Sequence, residues 1–362
     1  MRLSRGRIIA LGFFILFLLG FVFLRGPTPH IAIKAETLQS FGPINVTNAM
    51  MTSWIVVIIM VAAVYLGTRR RDLVPKGAQN MFEAALEAFY NLIVGVAGEK
   101  NGRRFFPVVA TIFFFVLVSN WLSLFPIFNV IGLVEEEDHG FVMEQADVGP
   151  LPVGWVSLSG PGDLRLTGGG TIDEDDADAE EQANEAREDG KLVGELIPLF
   201  RGPNTDLNTP LALAIVSAIA VESWGIASLG VGAYGRKFFN FGGMLRGLFR
   251  LNFGQFFRGF IDAFVGVLEL ISEVVRLVSF TFRLFGNMFA GEVVILMFIF
   301  LTPLVLTIPF YGLELFVGII QAFIFAVLTL VFGMMAVAHG EAHAADEEHS
   351  EEAGAVAPEA QS

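Results

Sequence analysis

Long apolar stretches dominate the pattern along this chain, separated by short basic or polar segments. They run over Ile8–Leu24, Trp54–Gly67, Phe105–Pro126, Pro210–Ala233, Gly259–Phe300 and Gly312–Ala338. A helix crosses the hydrocarbon of a bilayer in about 20 residues, whereas a barrel strand needs only about 10. These runs are too long for barrel strands, and a spanning backbone must satisfy its own hydrogen bonds. The pattern therefore predicts an all-α polytopic membrane protein with about five spanning helices. The basic start and apolar run within residues 1–50 predict a signal peptide or a signal-anchor helix, followed by an external linker.

Between the first two core spans the pattern changes. Glu83, Glu87 and Asn91 share one helical stripe, while Phe82, Leu86, Phe89 and Ile93 share the opposite one. That arrangement predicts an amphipathic helix lying on the membrane surface, which makes 51–133 a span, a surface helix and a second span. Residues 134–206 read as an acidic external insertion, expected to be disordered because the centre holds too little apolar material for a core. Residues 207–340 hold the remaining spans, and 341–362 form an acidic tail. The run Gly259–Phe300 is too long for one perpendicular crossing. With Pro303 and Pro309 breaking the pattern before Gly312–Ala338, it predicts a long slanted helix hairpin at the C-terminal end.

Composition adds three points. Hydrophobic residues make up 54% of the 362, too much for one soluble core, and there is no cysteine to form a disulfide or a thiolate metal site. The net charge of −14 is unevenly placed: residues 135–195 carry −15, the tail after Gly340 carries −7, and the rest of the chain is +8. Arg69–Arg71, Arg103–Arg104 and Arg236–Lys237 alternate with the spans so that all fall on one side. This places them in the cytoplasm, with the acidic insertion outside and the C-terminus inside.

The informative charges lie within the apolar runs. After Arg258 the only Lys or Arg residues are Arg276 and Arg283, both inside the long helix. A guanidinium keeps its proton, so Arg283 is a permanent cation held in the membrane. Pairing with an acid of the same chain, such as Glu222, is the structural alternative. At 100° per residue Arg276, Asn287 and Glu269 fall within about 40° of Arg283, and Glu292 falls opposite. Glu314 and Gln321 share a face of the returning helix. Glu269 and Glu273 then lie toward the cytoplasm, and Glu292 and Glu314 toward the outside. A fixed cation between displaced carboxylates suits two offset half-channels, with a moving carboxylate supplied by another subunit.

The segment Arg283-Leu284-Phe285-Gly286-Asn287-Met288-Phe289-Ala290-Gly291-Glu292 closely resembles the signature of the subunit a family of F-type ATP synthases. Gln321-Ala322-Phe323-Ile324-Phe325 with Val327-Leu328-Thr329 resembles the family's second signature. Phe106-Pro107 through Asn120 and Pro126, and Leu207-Asn208-Thr209-Pro210, resemble earlier segments. The resemblance covers roughly residues 45–130 and 200–340. It implies a stator subunit that passes protons to and from c-ring carboxylates through two half-channels, coupling ion flow to rotation and ATP synthesis. It further implies that Arg283 faces the ring carboxylate, that Asn287 and Gln321 are polar neighbours there, and that Glu292 and Glu314 line the outer half-channel. Arg276 matches a position that is basic in some relatives. Implied partners are the c-subunit ring, the peripheral-stalk b subunits, the remaining synthase subunits and the lipid of the cell inner (plasma) membrane. The insertion, the N-terminal apolar segment and the acidic tail depart from the family pattern.

No phosphate-binding G-x-x-x-x-G-K-[ST] segment occurs, so a nucleotide site, any other cofactor and nucleic-acid binding are not expected, and the chain reads as a non-catalytic component. His339, His343 and His349 read as part of a solvated tail rather than a metal site. The competing class, a stand-alone secondary transporter or channel, would favour an internal repeat or matching broken spans, and the sequence has neither.

Overall fold

A computed structural model describes residues 6, 11–16, 31–42, 44–69, 77–125, 127–128, 131–148, 151–156, 171–172, 178–238, 242, 249, 253–301 and 307–355. Most of the apolar run Ile8–Leu24, and Arg70, Arg71 and Pro303, lie outside these residues. The elements in chain order are β1 (Thr37–Phe41), β2 (Ile44–Thr47), α1 (Asn48–Thr68), α2 (Ala78–Leu122), β3 (Ile131–Val148), β4 (Leu151–Val156), β5 (Thr171–Ile172), α3 (Ala179–Glu188), β6 (Leu192–Pro198), α4 (Asn208–Leu229), α5 (Val231–Phe238), α6 (Phe253–Leu301) and α7 (Thr307–Ala355). Among the described residues α1, α2, α4, α6 and α7 are long and apolar enough to cross a membrane. The protein is an all-α polytopic membrane protein with a small β-containing insertion.

The chain divides into two compact units: Met1–Val64 with Phe115–Thr209 and Leu284–Gln321, and Tyr65–Phe114 with Pro210–Arg283 and Ala322–Ser362. In the first unit, Thr47 caps α1 by accepting the Met50 N–H at 3.3 Å. Buried Asn48 donates to the carbonyl of Pro198 at 3.1 Å, tying the start of α1 to the end of β6. Buried Arg201 donates to the backbone carbonyls of Lys34 and Ala32. The segment 31–50, expected as a plain linker, carries the β1–β2 antiparallel hairpin.

The described residues of the insertion are ordered where its average composition predicts disorder, and most of the acidic centre, 173–177, lies outside the described residues. Its described residues form an antiparallel sheet in which β3 pairs with β4, β5 and β6. Val142, Ile172 and Val193 bury one face against Ala183 and Ala186 of α3, and Met143 and Leu196 bury together. The apolar positions are few, but neighbours divide between the two clusters, Val142 from Met143 on β3 and Val193 from Leu192 on β6, and small alanines let the helix lie close to the sheet. Successive strand residues point to opposite faces, and a count over the whole acidic stretch hides that local division.

The second unit has a helical core. Gly98, at φ 72 and ψ 166, interrupts α2 with a conformation that only glycine adopts readily. It separates the amphipathic part from the apolar span, as the sequence pattern requires. Phe89, Ile93 and Ala97 of the first part are buried with Phe105 and Val109 of the second, Val221 and Trp224 of α4, and Ala326 and Leu330 of α7. Gly333 makes the close approach possible, since a Cβ there would lie 2.7 Å from the Trp224 ring.

The C-terminal hairpin is longer than the pattern predicts. The 49 residues of α6 extend about 74 Å at ~1.5 Å per residue. The return helix starts at Thr307 rather than Gly312, because Pro309 falls in its first turn, where a missing N–H breaks no helical bond. It also continues to Ala355, through much of the segment read as a separate tail.

Candidate functional site

In the second unit α6 positions Glu269, Glu273, Arg276 and Arg283. Arg283 is exposed, and its Nη2 reaches Ser279 Oγ, one turn earlier, at 3.4 Å. It shares an exposed face of α6 with Val265, Leu268, Ser272, Ser279, Asn287 and Ala290. Among the described residues no carboxylate forms an ion pair with it. Glu222 is bound instead by the Tyr234 hydroxyl. Arg276, although close to Arg283 on the helical wheel, is engaged otherwise. Its Nη1 lies 2.7 Å from Glu273 Oε2, and its guanidinium stands 3.8 Å from the centroid of the Phe332 ring. An ion pair and an aromatic face together hold Arg276 in place.

In the first unit the later part of α6 faces the earlier part of α7. Asn287 Nδ2 donates to Gln321 Oε1 at 2.9 Å, so the two polar residues named by the resemblance are in direct contact. Gln321 is 2% exposed, and its Nε2 is buried without a hydrogen-bond partner. Glu314 is 6% exposed, with Oε1 likewise unpartnered. Its carboxyl lies against the backbone of Gly291, where a Cβ would overlap the Glu314 oxygens. The charge of Glu292 acts on the same carboxyl. An unpartnered buried polar atom is costly, so such atoms mark positions where water or an ion belongs.

A buried polar layer that sequence reading missed adjoins these groups within the first unit. Asn204 donates to Asn120 Oδ1 at 2.7 Å, and Asn120 donates to the carbonyl of Gly318 at 3.1 Å. Ser119 Oγ and Asn204 Oδ1 are buried without partners. The available signal was a Ser-Asn pair inside an otherwise apolar run. The side chains of His339, His343 and His349 lie outside what is described.

This combination defines a class: a polytopic α-helical membrane protein that places a guanidinium, amides and carboxylates inside its spanning helices. The family model described as ATP synthase A chain matches residues 50–333. The chain is 28% identical over 300 residues to the ATP synthase subunit a of Moorella thermoacetica, covering 83% of this chain and 95% of that one. It is 26% identical over 322 residues to the ATP synthase subunit a of Gloeobacter violaceus, covering 88% and 96%. For the ATP synthase subunit a of Trichlorobacter lovleyi the values are 27% over 294 residues, covering 81% and 89%. The chain belongs to the ATP synthase A chain family, the a subunits of F-type ATP synthases.

Proposed function

We propose that this stator subunit conducts protons through two offset half-channels that meet a ring of c subunits at the exposed face of α6. The observation that carries this reading is Arg283: a charge that cannot be neutralised, on an open face of an apolar helix, without a carboxylate partner among the described residues. A cation so placed calls for an anion from outside the chain. A ring carboxylate supplies it: ionised beside Arg283, it is stabilised while it passes, and Arg283 separates the two water-accessible paths. Asn287 and Gln321 hydrogen-bond to each other and fix the later part of α6 against the earlier part of α7. Glu292 and Glu314 relay protons on the outer path, and Glu269 with the Glu273–Arg276 pair belongs to the inner one.

The length of α6 suits a helix that slants along a curved partner rather than standing upright. The subunit sits in the cell inner (plasma) membrane with the insertion outside and the C-terminus in the cytoplasm, and the peripheral-stalk b subunits hold it against rotation. The stand-alone transporter reading gains no support, because it leaves Arg283 without a counter-charge.

Cysteine cross-linking tests the docking face. Cysteines at Asn287 and Ala290, on the exposed face, are expected to form disulfides with cysteines on the outer ring helix. Cysteines at buried Leu284 and Met288 are expected not to. Cross-links from the buried pair alone would put the ring on the wrong side.

A further inference from the structure

The inner path contains one buried arrangement that the roles above leave unused. The helix α4 ends at Gly230, whose φ of 80 lets the chain reverse, and its N–H bonds to the Ile226 carbonyl at 2.8 Å. The short α5 then starts with the Tyr234 N–H bonded to the Gly230 carbonyl at 3.0 Å. The Tyr234 ring lies on Gly225, where a Cβ would come within 2.6 Å of Cε2, and edge-on to Phe238 at 5.6 Å between centroids. Tyr234 is 5% exposed, and its hydroxyl donates to Glu222 Oε2, back along α4. This seat fixes one oxygen of a half-buried carboxylate. Besides Glu222, the described titratable groups acting on the phenol are Glu273 and Glu269 of α6, and Arg276 closes the group through its pair with Glu273.

Resting on the half-channel reading, we propose that Glu222, positioned by Tyr234 and grouped with Glu269 and Glu273, is the proton-collecting carboxylate of the inner half-channel. Burial, the hydrogen bond to Glu222 and the neighbouring carboxylates push the Tyr234 phenol up, so it remains an O–H donor at every working pH. Tyr234 is thus a positioning residue, and its O–H bond stays intact throughout. In the pumping direction a hydronium ion gives its proton to the Glu222 carboxylate and leaves as water. The resulting acid passes the proton inward to Glu269 or Glu273 and returns to carboxylate. Three carboxylates against the single guanidinium of Arg276 leave this group net negative, a local field that gathers protons from dilute solution. Arg236 and Lys237, read from the sequence as marking the cytoplasmic side, stand two and three residues after Tyr234 in α5.

The test is ATP-driven acidification of inverted vesicles carrying the whole complex, with co-purification to confirm assembly. The medium then bathes the inner mouth. Glu222→Gln is expected to pump close to wild type in mildly acid medium, where hydronium is plentiful. In alkaline medium it should lose at least about tenfold, a modest share of what a positioned acid–base group contributes. Glu222→Asp should recover most of that loss. Tyr234→Phe keeps the ring in its seat and should show a smaller, equally alkaline-selective loss. It decides the matter if Glu222→Gln does not assemble. An equal fractional loss in both media would make the pair merely structural and overturn the proposal, as would no loss in either variant. Arg283→Ala serves as the companion: if it fails to pump while Glu222→Gln and Tyr234→Phe behave as wild type, only the collecting role is lost. If Arg283→Ala pumps normally, the half-channel reading beneath it falls as well.

Discussion

Gly291 has no room for a side chain, because a Cβ would fall among the Glu314 carboxyl atoms. Gly291→Ala should therefore expel that carboxyl from its seat and reduce pumping, up to the ~100-fold that a misplacement of about an ångström can cost. Gly312→Ala is the control. It sits on the same helix as Glu314 with open space around it, and should leave pumping unchanged. At Glu314 itself, replacement by His retains a titratable group and should preserve much more vesicle acidification than replacement by Leu. Equal rates for the two variants would remove Glu314 from the path. The residues of this site were unequally legible in the sequence. Arg283 and Asn287 announced themselves as polar groups on one stripe of an apolar helix, and Glu314 and Gln321 as a pair sharing one face. The Gly291 seat and the Tyr234–Glu222 bond did not, since both depend on which backbone lies beside which side chain. A helical wheel carries no such information.

At the scale of elements, the length of the apolar runs found the spans, and helix periodicity found the amphipathic part of α2, where apolar burial follows a 3.6-residue repeat. Its boundary is a backbone event at one residue. Gly98→Ala forces a side chain into a positive-φ conformation that is essentially confined to glycine and should cost about 1–3 kcal/mol. The expected readout is a lower thermal midpoint of the purified complex, with pumping per assembled complex unchanged. The insertion escaped the same reading because its apolar positions are few and its core is small. Ala186, fully buried against Val142 and Val193, is the position to probe. Ala186→Asp would bury a carboxylate without a partner, and should unfold the insertion. Limited proteolysis should then cut within residues 171–198, while proton pumping persists. Loss of pumping in an assembled Ala186→Asp complex would give the insertion a role in transport.

Across the whole molecule the charge is divided. The acidic insertion and tail together outweigh a chain that is otherwise +8, and its basic residues concentrate at the boundaries of the spans. Membrane insertion follows the basic boundaries rather than the net charge. Cysteines at Asp176 and Ser350 should consequently label from opposite faces of intact membranes, and labelling of both from one face would contradict the topology. The central claim concerns coupling, which only the complete complex displays. In the proposed function Arg283 is the charge against which a ring carboxylate is ionised, and the barrier between two proton paths. The decisive measurement is ATP-driven acidification of vesicles containing the Arg283→Ala complex, with assembly verified by co-purification. The account predicts that the complex assembles but that coupled pumping is abolished. Arg283→Lys should fail too, because an ammonium lacks the guanidinium fork and can give up its proton. Normal coupled pumping by an assembled Arg283→Ala complex would contradict it.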